Sequence, residues 1–351
     1  MSNRIPVAVL GATGSVGQRF VQLLDGHPWF RIVALTGSER TQGQLYAEAC
    51  RWVLAEPMPE WARSITLQPN ETEGFQAALA FSALPSGAAQ EVEPRFARAG
   101  VFVCSNASAY RPEPDVPLLL PEVNPDHIAL LDFQQQERGW TGGILTNPNC
   151  TSTGLTVTLK ALQKAFGLRR AFVVSLQALS GAGYPGVPSL DITDNVIPYI
   201  GGEEDKVEWE PRKMLGRLLN GQVELDKVAI SVHTNRVAVS DGHLVCLSVE
   251  LEQPAGVEDA VQALRGYTAP ALSCDLPSAP RPVIQVREEP DRPQPRLDRM
   301  AGRGMTTVVG RLRPDPLFHL KMVILSHNTI RGAAGGSIYN AELLVRQGYL
   351  S

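Results

Sequence analysis

Short apolar runs alternate with helical spacings through the first 150 positions. Ile5–Leu10 is a β-rich run. The chain then turns over Gly11-Ala12-Thr13-Gly14-Ser15-Val16-Gly17, and Val16, Phe20, Leu23 and Leu24 recur at helical spacing. Phe30–Leu35 reads as a second buried strand. Further runs at Ala78–Ala83 and Gly100–Cys104 enclose a helical stretch around Ala88–Ala99. Strands alternating with helices predict parallel βαβ construction.

Beyond about residue 145 the pattern changes. Leu155, Leu159, Leu162 and Phe166 mark one face of a helix that opens at Asn149-Cys150-Thr151. Ala171–Leu179, Val228–Ser240 and His243–Leu251 are β-like and predict a mostly antiparallel sheet. A Gly/Pro-rich excursion between them ends in the acidic patch Gly201–Asp205, which leads into Glu208–Leu219. Arg287–Arg299 is rich enough in Pro, Arg and acids to predict a surface loop or arm. Ile338, Ala341, Leu344 and Val345 predict a final helix within Gly335–Tyr349.

The composition narrows the function classes. The 351 residues suggest two domains, and a 44% hydrophobic share is ample for two cores. A net charge of −4 does not advertise a nucleic-acid backbone as partner. The longest apolar runs fall short of the roughly 18 residues a membrane helix needs. The N-terminus shows no basic segment followed by an apolar one, so a secretory signal is not expected. Five scattered cysteines imply neither a disulfide framework nor a zinc ribbon, and a cytoplasmic protein with free thiols is expected.

Gly11, Gly14 and Gly17 form G-x-x-G-x-x-G between a strand and a helix, with Thr13, Ser15 and Val16 among them. Such a turn lets a backbone approach a pyrophosphate and aims a helix N-terminus at it. A dinucleotide is therefore the expected cofactor. An acid about 20 residues on would hold a ribose 2′-OH, and an arginine would suit a 2′-phosphate. Glu39 is compatible with either, whereas Ser38 and Arg40 favour NADP.

Asn147-Pro148-Asn149-Cys150-Thr151 places a cysteine at a helix start, where backbone N–H groups and the macrodipole lower a thiol pKa. Cys150 is thus the candidate nucleophile. Cys50, Cys104, Cys246 and Cys274 read as small buried hydrophobes. A proton shuttle would come from the six histidines; His243, at a turn before a strand, suits the role, but spacing alone leaves His233 and the others open. His243 and Cys246 form H-x-x-C, yet three residues along a strand they face opposite ways. No metal site is expected.

Taken together, these segments resemble the aspartate-semialdehyde dehydrogenase family, in its archaeal and fungal branch. The resemblance spans the chain. It is carried by the glycine turn, Ser105–Arg111, Pro121–Asn124, Asn147–Cys150, Ser180–Gly186, Asn235–Val237 with Gly242-His243, Pro293–Arg299 and Asn328–Gly336. It implies NADPH-dependent reduction of L-4-aspartyl phosphate to L-aspartate 4-semialdehyde through a cysteine thioester, in lysine, methionine and threonine biosynthesis. Cys150 matches the nucleophile, His243 the acid/base and Gln177 a residue orienting substrate near the thiol. Arg236 matches the arginine gripping the α-carboxylate, and Glu210 an acid that helps fix substrate. Lys213 and Arg111 match the phosphate site, with Asn149 beside it. Ser82, Leu84, Gly181 and Asn328 fall where the family lines its nicotinamide pocket. A CoA-thioester reductase such as malonyl-CoA reductase would keep the same nucleophile, histidine and cofactor. A non-catalytic NADP-binding protein would keep only the cofactor site.

The implied architecture is α/β. A Rossmann-like domain over residues 1–148 plus 329–351 would join an α+β catalytic and dimerisation domain over 149–328. The implied assembly is a homodimer or a tetramer.

Overall fold

The computed structural model describes residues 4–350. Five strands come first: β1 (Ile5–Leu10), β2 (Phe30–Leu35), β3 (Leu79–Ser82), β4 (Phe102–Ser105) and β5 (Gly143–Thr146). They form one parallel sheet in the order β2-β1-β3-β4-β5. β3, β4 and β5 are buried at every position, as a sheet covered on both faces requires. The chain steps from β1 outward to β2 and then crosses back to β3. This creates a switch point whose crevice lies at the carboxyl ends of the strands.

The remaining strands are β6 (Leu168–Gln177), the small hairpin β7 (Arg217–Leu219) and β8 (Gln222–Glu224), β9 (Ala229–Arg236), β10 (His243–Leu251), β11 (Ile284–Val286), β12 (Thr307–Pro314) and β13 (Leu320–Ser326). Six of them form a sheet in the order β11-β12-β13-β10-β6-β9. Its three inner pairings are antiparallel and its two outer ones, β11 with β12 and β6 with β9, are parallel. The sheet is thus mostly antiparallel, as expected, with one parallel pairing at each edge. The sequence pattern also did not single out β12 and β13. In β12 the alternation is broken by a register shift between Gly310 and Arg313, with Arg311 at φ 57°.

The helix Cys150–Phe166 runs directly from β5 into the second half of the molecule. Leu155, Leu159 and Leu162 pack with Val173, Val245, Leu247, Met322 and Ile324 in one core. The hydroxyls of Thr153, Thr156 and Thr158 donate to carbonyls four residues back, so these buried side chains are satisfied within the helix. The final helix, Gly335–Arg346, returns to the first sheet: Ile338, Tyr339, Leu343 and Leu344 share a core with Val7, Val9 and Phe81. The Arg287–Arg299 segment is an ordered corner rather than a free arm. Asp298 accepts from Arg292 Nε at 2.6 Å, and Arg299 Nη1 donates to Asp241 O at 3.2 Å, just before β10.

A buried ion pair ties the segment after β13 to the loop between β4 and β5. Arg331, on the π-turn Ile330–Ala334, donates from Nε to Glu122 Oε1 at 2.9 Å and from Nη2 to Oε2 at 2.5 Å. Both side chains are fully buried. Removing one partner would strand the other charge in a medium of low polarity, whereas removing both would not. Arg331→Met is therefore expected to cost about 3–5 kcal/mol of unfolding free energy, and an Arg331→Met/Glu122→Leu pair clearly less. Urea denaturation checks this; a double variant no more stable than the single one would contradict it.

Candidate active site

Loops at the carboxyl ends of the parallel strands face the ends of β6 and β9 across a cleft of about 530 Å³. Gly14–Val16 follow β1, Ala83–Pro85 follow β3, Asn106 follows β4, and Pro148–Cys150 follow β5. Opposite them stand Gln177, the turn Ser180–Tyr184, Arg236 and Asn328.

The glycine turn is built for close approach. A Cβ on Gly17 would lie 2.4 Å from Gly11 O, so only glycine lets the helix Ser15–Leu23 rise this near the strand. Gly14 opens that helix with no side-chain cap, which leaves helix-start N–H groups for an anion. Gly11 lies deeper and donates from its N–H to Thr36 Oγ1 at 3.1 Å. Thr13 contributes its carbonyl, which accepts from Gln18 Nε2 at 2.9 Å. Ser38 and Arg40 are exposed just past β2. An uncapped helix start with an exposed hydroxyl and guanidinium beyond the next strand suits a dinucleotide carrying a 2′-phosphate. Leu84 lines the cleft as expected. Ser82 does not: it is fully buried beneath the lining.

Cys150 Sγ lies 3.1 Å from His243 Nε2. The imidazole is almost fully buried, and its other nitrogen, Nδ1, accepts from the backbone N–H of Ala178 at 3.0 Å. An N–H facing Nδ1 leaves the ring proton on Nε2, so the resting ring donates toward sulfur. Burial, then Arg236 and His327, push His243 down to about 3. The thiol departs from expectation. Burial first, then Glu203, push Cys150 up to about 12, against the opposing pull of Arg111, Arg236 and its own N–H. The helix start acts in the expected direction, but its donors are mostly taken. Asn149 Oδ1 caps the helix by accepting from Thr151 and Ser152, and the N–H of Asn149 donates to Glu210 Oε2 at 2.6 Å.

The charged groups sort differently from the sequence expectation. Arg111 lines the cleft and donates from Nη1 to Glu210 Oε1 at 2.9 Å, while its buried Nε has no protein partner. Arg236 lines the cleft too, and donates from Nη1 to Ala178 O at 2.7 Å. Glu210 and Lys213 do not reach the cleft. Glu210 is fully buried, with both oxygens engaged by Arg111 and Asn149. Lys213 donates to three carbonyls, those of Arg111, Glu113 and Val116, at 2.7–3.0 Å. Its ammonium holds a loop and has no donor left for a phosphate. Burial also pulls it down to about 8.

Glu203 is the cleft acid that the sequence reading missed. It accepts from Asn149 Nδ2 at 2.9 Å on both oxygens, from Gln177 Nε2 at 3.3 Å and from Lys206 Nζ at 3.4 Å. The acidic patch Gly201–Asp205 was the available signal, because these acids open the helix Glu203–Leu215 next to Asn149. Gly181 and Asn328 do line the cleft. A Cβ on Gly181 would lie 2.9 Å from Arg236 Nη1 and 3.1 Å from His243 Cε1, so this glycine borders the reacting groups. Asn328 donates to Ser180 Oγ at 2.7 Å and accepts from Gly242 N–H, tying that turn to the residue before His243. Of the remaining thiols, Cys50 and Cys104 are buried as expected, whereas Cys246 and Cys274 are exposed. Cys246 lies on the face of β10 opposite His243.

Profiles of known families agree with this layout. The semialdehyde dehydrogenase NAD binding domain matches residues 6–131, and the semialdehyde dehydrogenase dimerisation domain matches residues 159–331. The chain is thus a semialdehyde dehydrogenase by class, and the second match supports self-association. An aspartate-semialdehyde dehydrogenase of Archaeoglobus fulgidus is 52% identical over 98% of this chain and 99% of its own. That of Saccharomyces cerevisiae is 44% identical over 98% and 99%. The Candida albicans aspartate-semialdehyde dehydrogenase, solved with NADP, superposes with a TM-score of 0.91 at 42% identity, covering 99% of this chain and all of that one. The chain belongs to the aspartate-semialdehyde dehydrogenase family, as its motifs had indicated. Among the described residues, no helix is long and apolar enough to cross a membrane.

A thiol pushed upward is protonated through neutral pH, and only its anion alkylates. The iodoacetamide reaction of Cys150 in the free enzyme is therefore expected to rise about tenfold per pH unit from pH 6 to 9. Stopped-time mass spectrometry reads this rate. A plateau already reached below pH 7 would show a preformed thiolate and contradict the account.

Proposed function

We propose that this protein reduces L-4-aspartyl phosphate reversibly to L-aspartate 4-semialdehyde, with NADPH as reductant. It would act as a cytoplasmic homodimer in the biosynthesis of lysine, methionine and threonine. The observation that carries this reading is the 3.1 Å contact of Cys150 Sγ with His243 Nε2 at the rim of a dinucleotide-type sheet.

The charges around the thiol match those of the substrate. Arg236 meets the α-carboxylate, and Glu203 meets the α-ammonium in place of the buried Glu210. Arg111, through its unpartnered Nε, meets the phosphate, with Lys206 close by. Gln177 and Asn149 line the floor beside the thiol. Cys150 Sγ attacks the acyl carbon; the carbon–oxygen bond to phosphate breaks, and a thioester forms. Bound NADPH supplies the hydride that reduces the acyl carbon. His243 Nε2–H faces the oxygen on which negative charge gathers, and the carbon–sulfur bond then breaks to release the aldehyde. Pairing of Glu203 with the substrate's ammonium removes one of the influences that hold the thiol protonated.

Oxidation of L-aspartate 4-semialdehyde, followed through NADPH absorbance, is expected to require phosphate and to ignore CoA. Cys150→Ala is expected to lose more than about 10³-fold in turnover yet bind NADPH with near-native affinity. CoA-dependent, phosphate-independent turnover would assign a different acyl donor. Glu203→Gln is expected to raise KM about 10- to 100-fold, the loss of one charged contact, and to weaken discrimination against the analogue lacking the amino group. Glu210→Gln should leave that discrimination unchanged and lower the melting temperature. The reverse pattern would exchange the two roles.

A further inference from the structure

Beneath the floor of the cleft lies an acid that the proposed chemistry does not use. Glu93 sits on the helix Ser86–Arg98, between β3 and β4, and is fully shielded from solvent. Its Oε1 accepts from Ser105 Oγ at 2.7 Å. Its Oε2 is buried with no partner among the described residues, and so is the hydroxyl of Ser82, which faces it. No lysine, arginine or histidine among the described residues pairs with Glu93, and burial pushes its carboxyl up to about 7. Tyr110, whose phenol feels the charge of Glu93, is itself pushed upward. Its hydroxyl donates to Gln90 O at 2.7 Å, the carbonyl that Pro94 leaves free on the same helix.

An isolated carboxylate is costly in such a place, whereas a neutral carboxylic acid offers one donor and one acceptor. The two serines call for that pair. Ser105 Oγ–H donates to Oε1, and a proton on Oε2 would point at the unpartnered Ser82 oxygen. One hydrogen bond then satisfies two buried atoms.

These serines are the last residues of β3 and β4. The cleft begins one residue beyond each, with Ala83–Pro85 after the first and Asn106 after the second. The Asn106 N–H donates to Ser82 O at 3.0 Å, and the Asn147 N–H to Ser105 O at 2.8 Å, on the approach to Cys150. Ala83 O lies 3.1 Å from where a Cβ on Gly11 would stand, so the glycine turn rests on the same strand end.

We propose that Glu93 is a neutral acid that clamps the ends of β3 and β4, and so acts as a positioning residue for the coenzyme. It touches neither coenzyme nor substrate. Its carboxyl fixes how far apart the two strand ends stand, and with them the glycine turn, Leu84 and Asn106. The role requires only that a dinucleotide occupies the cleft; the acyl donor does not enter.

NADPH binding to the free enzyme, titrated through the coenzyme's fluorescence, tests the clamp. Glu93→Gln keeps one donor and one acceptor, and is expected to bind within about threefold of wild type. Glu93→Leu strands both serine hydroxyls and is expected to bind about 10- to 100-fold more weakly. The same loss should appear in KM for NADP, with KM for the aldehyde unchanged. Where the leucine variant does not fold, Ser82→Ala removes only the acceptor and should cost about 5- to 10-fold in affinity. The protonation state is read separately. The infrared difference between wild type and Glu93→Gln at pH 6 should contain the carbonyl band of an un-ionised carboxyl group. A carboxylate band in its place would overturn the proposal. So would a loss in Glu93→Gln as large as that in Glu93→Leu, or wild-type NADPH affinity in either Glu93→Leu or Ser82→Ala.

Discussion

The contact between Cys150 Sγ and His243 Nε2 is the constraint around which the rest is arranged. It joins a residue at the end of the parallel sheet to one at the start of a strand in the mixed sheet, 93 positions later. Holding the two atoms 3.1 Å apart requires that the helix after β5 start at a fixed place. Asn149 does this with every polar atom it has: its side-chain oxygen caps the helix, its amide nitrogen reaches Glu203, and its backbone N–H reaches Glu210. The helix is buried along most of its length, so its start cannot drift without disturbing the core.

Burial is the first reason the thiol is not a resting thiolate, and the same anchoring withholds the usual relief. A helix start favours an anion only through N–H groups left free, and the Asn149 cap occupies those of Thr151 and Ser152. What remains beside burial is a balance of one acid, Glu203, against two guanidiniums, Arg111 and Arg236. Such a balance is set by whatever charged molecule enters. A ligand that neutralises Glu203 tips it toward the anion, so reactivity is coupled to occupancy rather than built into the free protein. A reactive sulfur is thereby kept quiet between turnovers.

Much of this was legible in the sequence. Ile5–Leu10, Phe30–Leu35 and His243–Leu251 coincide with strands because apolar runs and alternation report burial directly. The glycine turn, Cys150, His243, Gln177, Arg111 and Arg236 come together in the structure around one cleft. The parallel outer pairings of the second sheet were not legible, because pairing direction depends on connections and not on local pattern. The acids and lysines of the Glu203–Leu215 helix were the hardest to assign. Glu203 with Lys206 and Glu210 with Lys213 repeat the same residue types a few positions apart, and only burial separates the pair at the cleft from the pair that holds a loop. Likewise the proton on His243 depends on a backbone amide 65 residues away, which no side-chain pattern records.

Covalent chemistry at a single sulfur is the core of the account, and trapping the acyl group on it is the most direct measurement. Intact-protein mass spectrometry after mixing the enzyme with L-aspartate 4-semialdehyde and NADP, phosphate withheld, should show one aspartyl group added per chain. Peptide mapping should place it on Cys150, and added phosphate should discharge it. Reduction of NADP with no adduct, or with the adduct on another residue, would contradict the account.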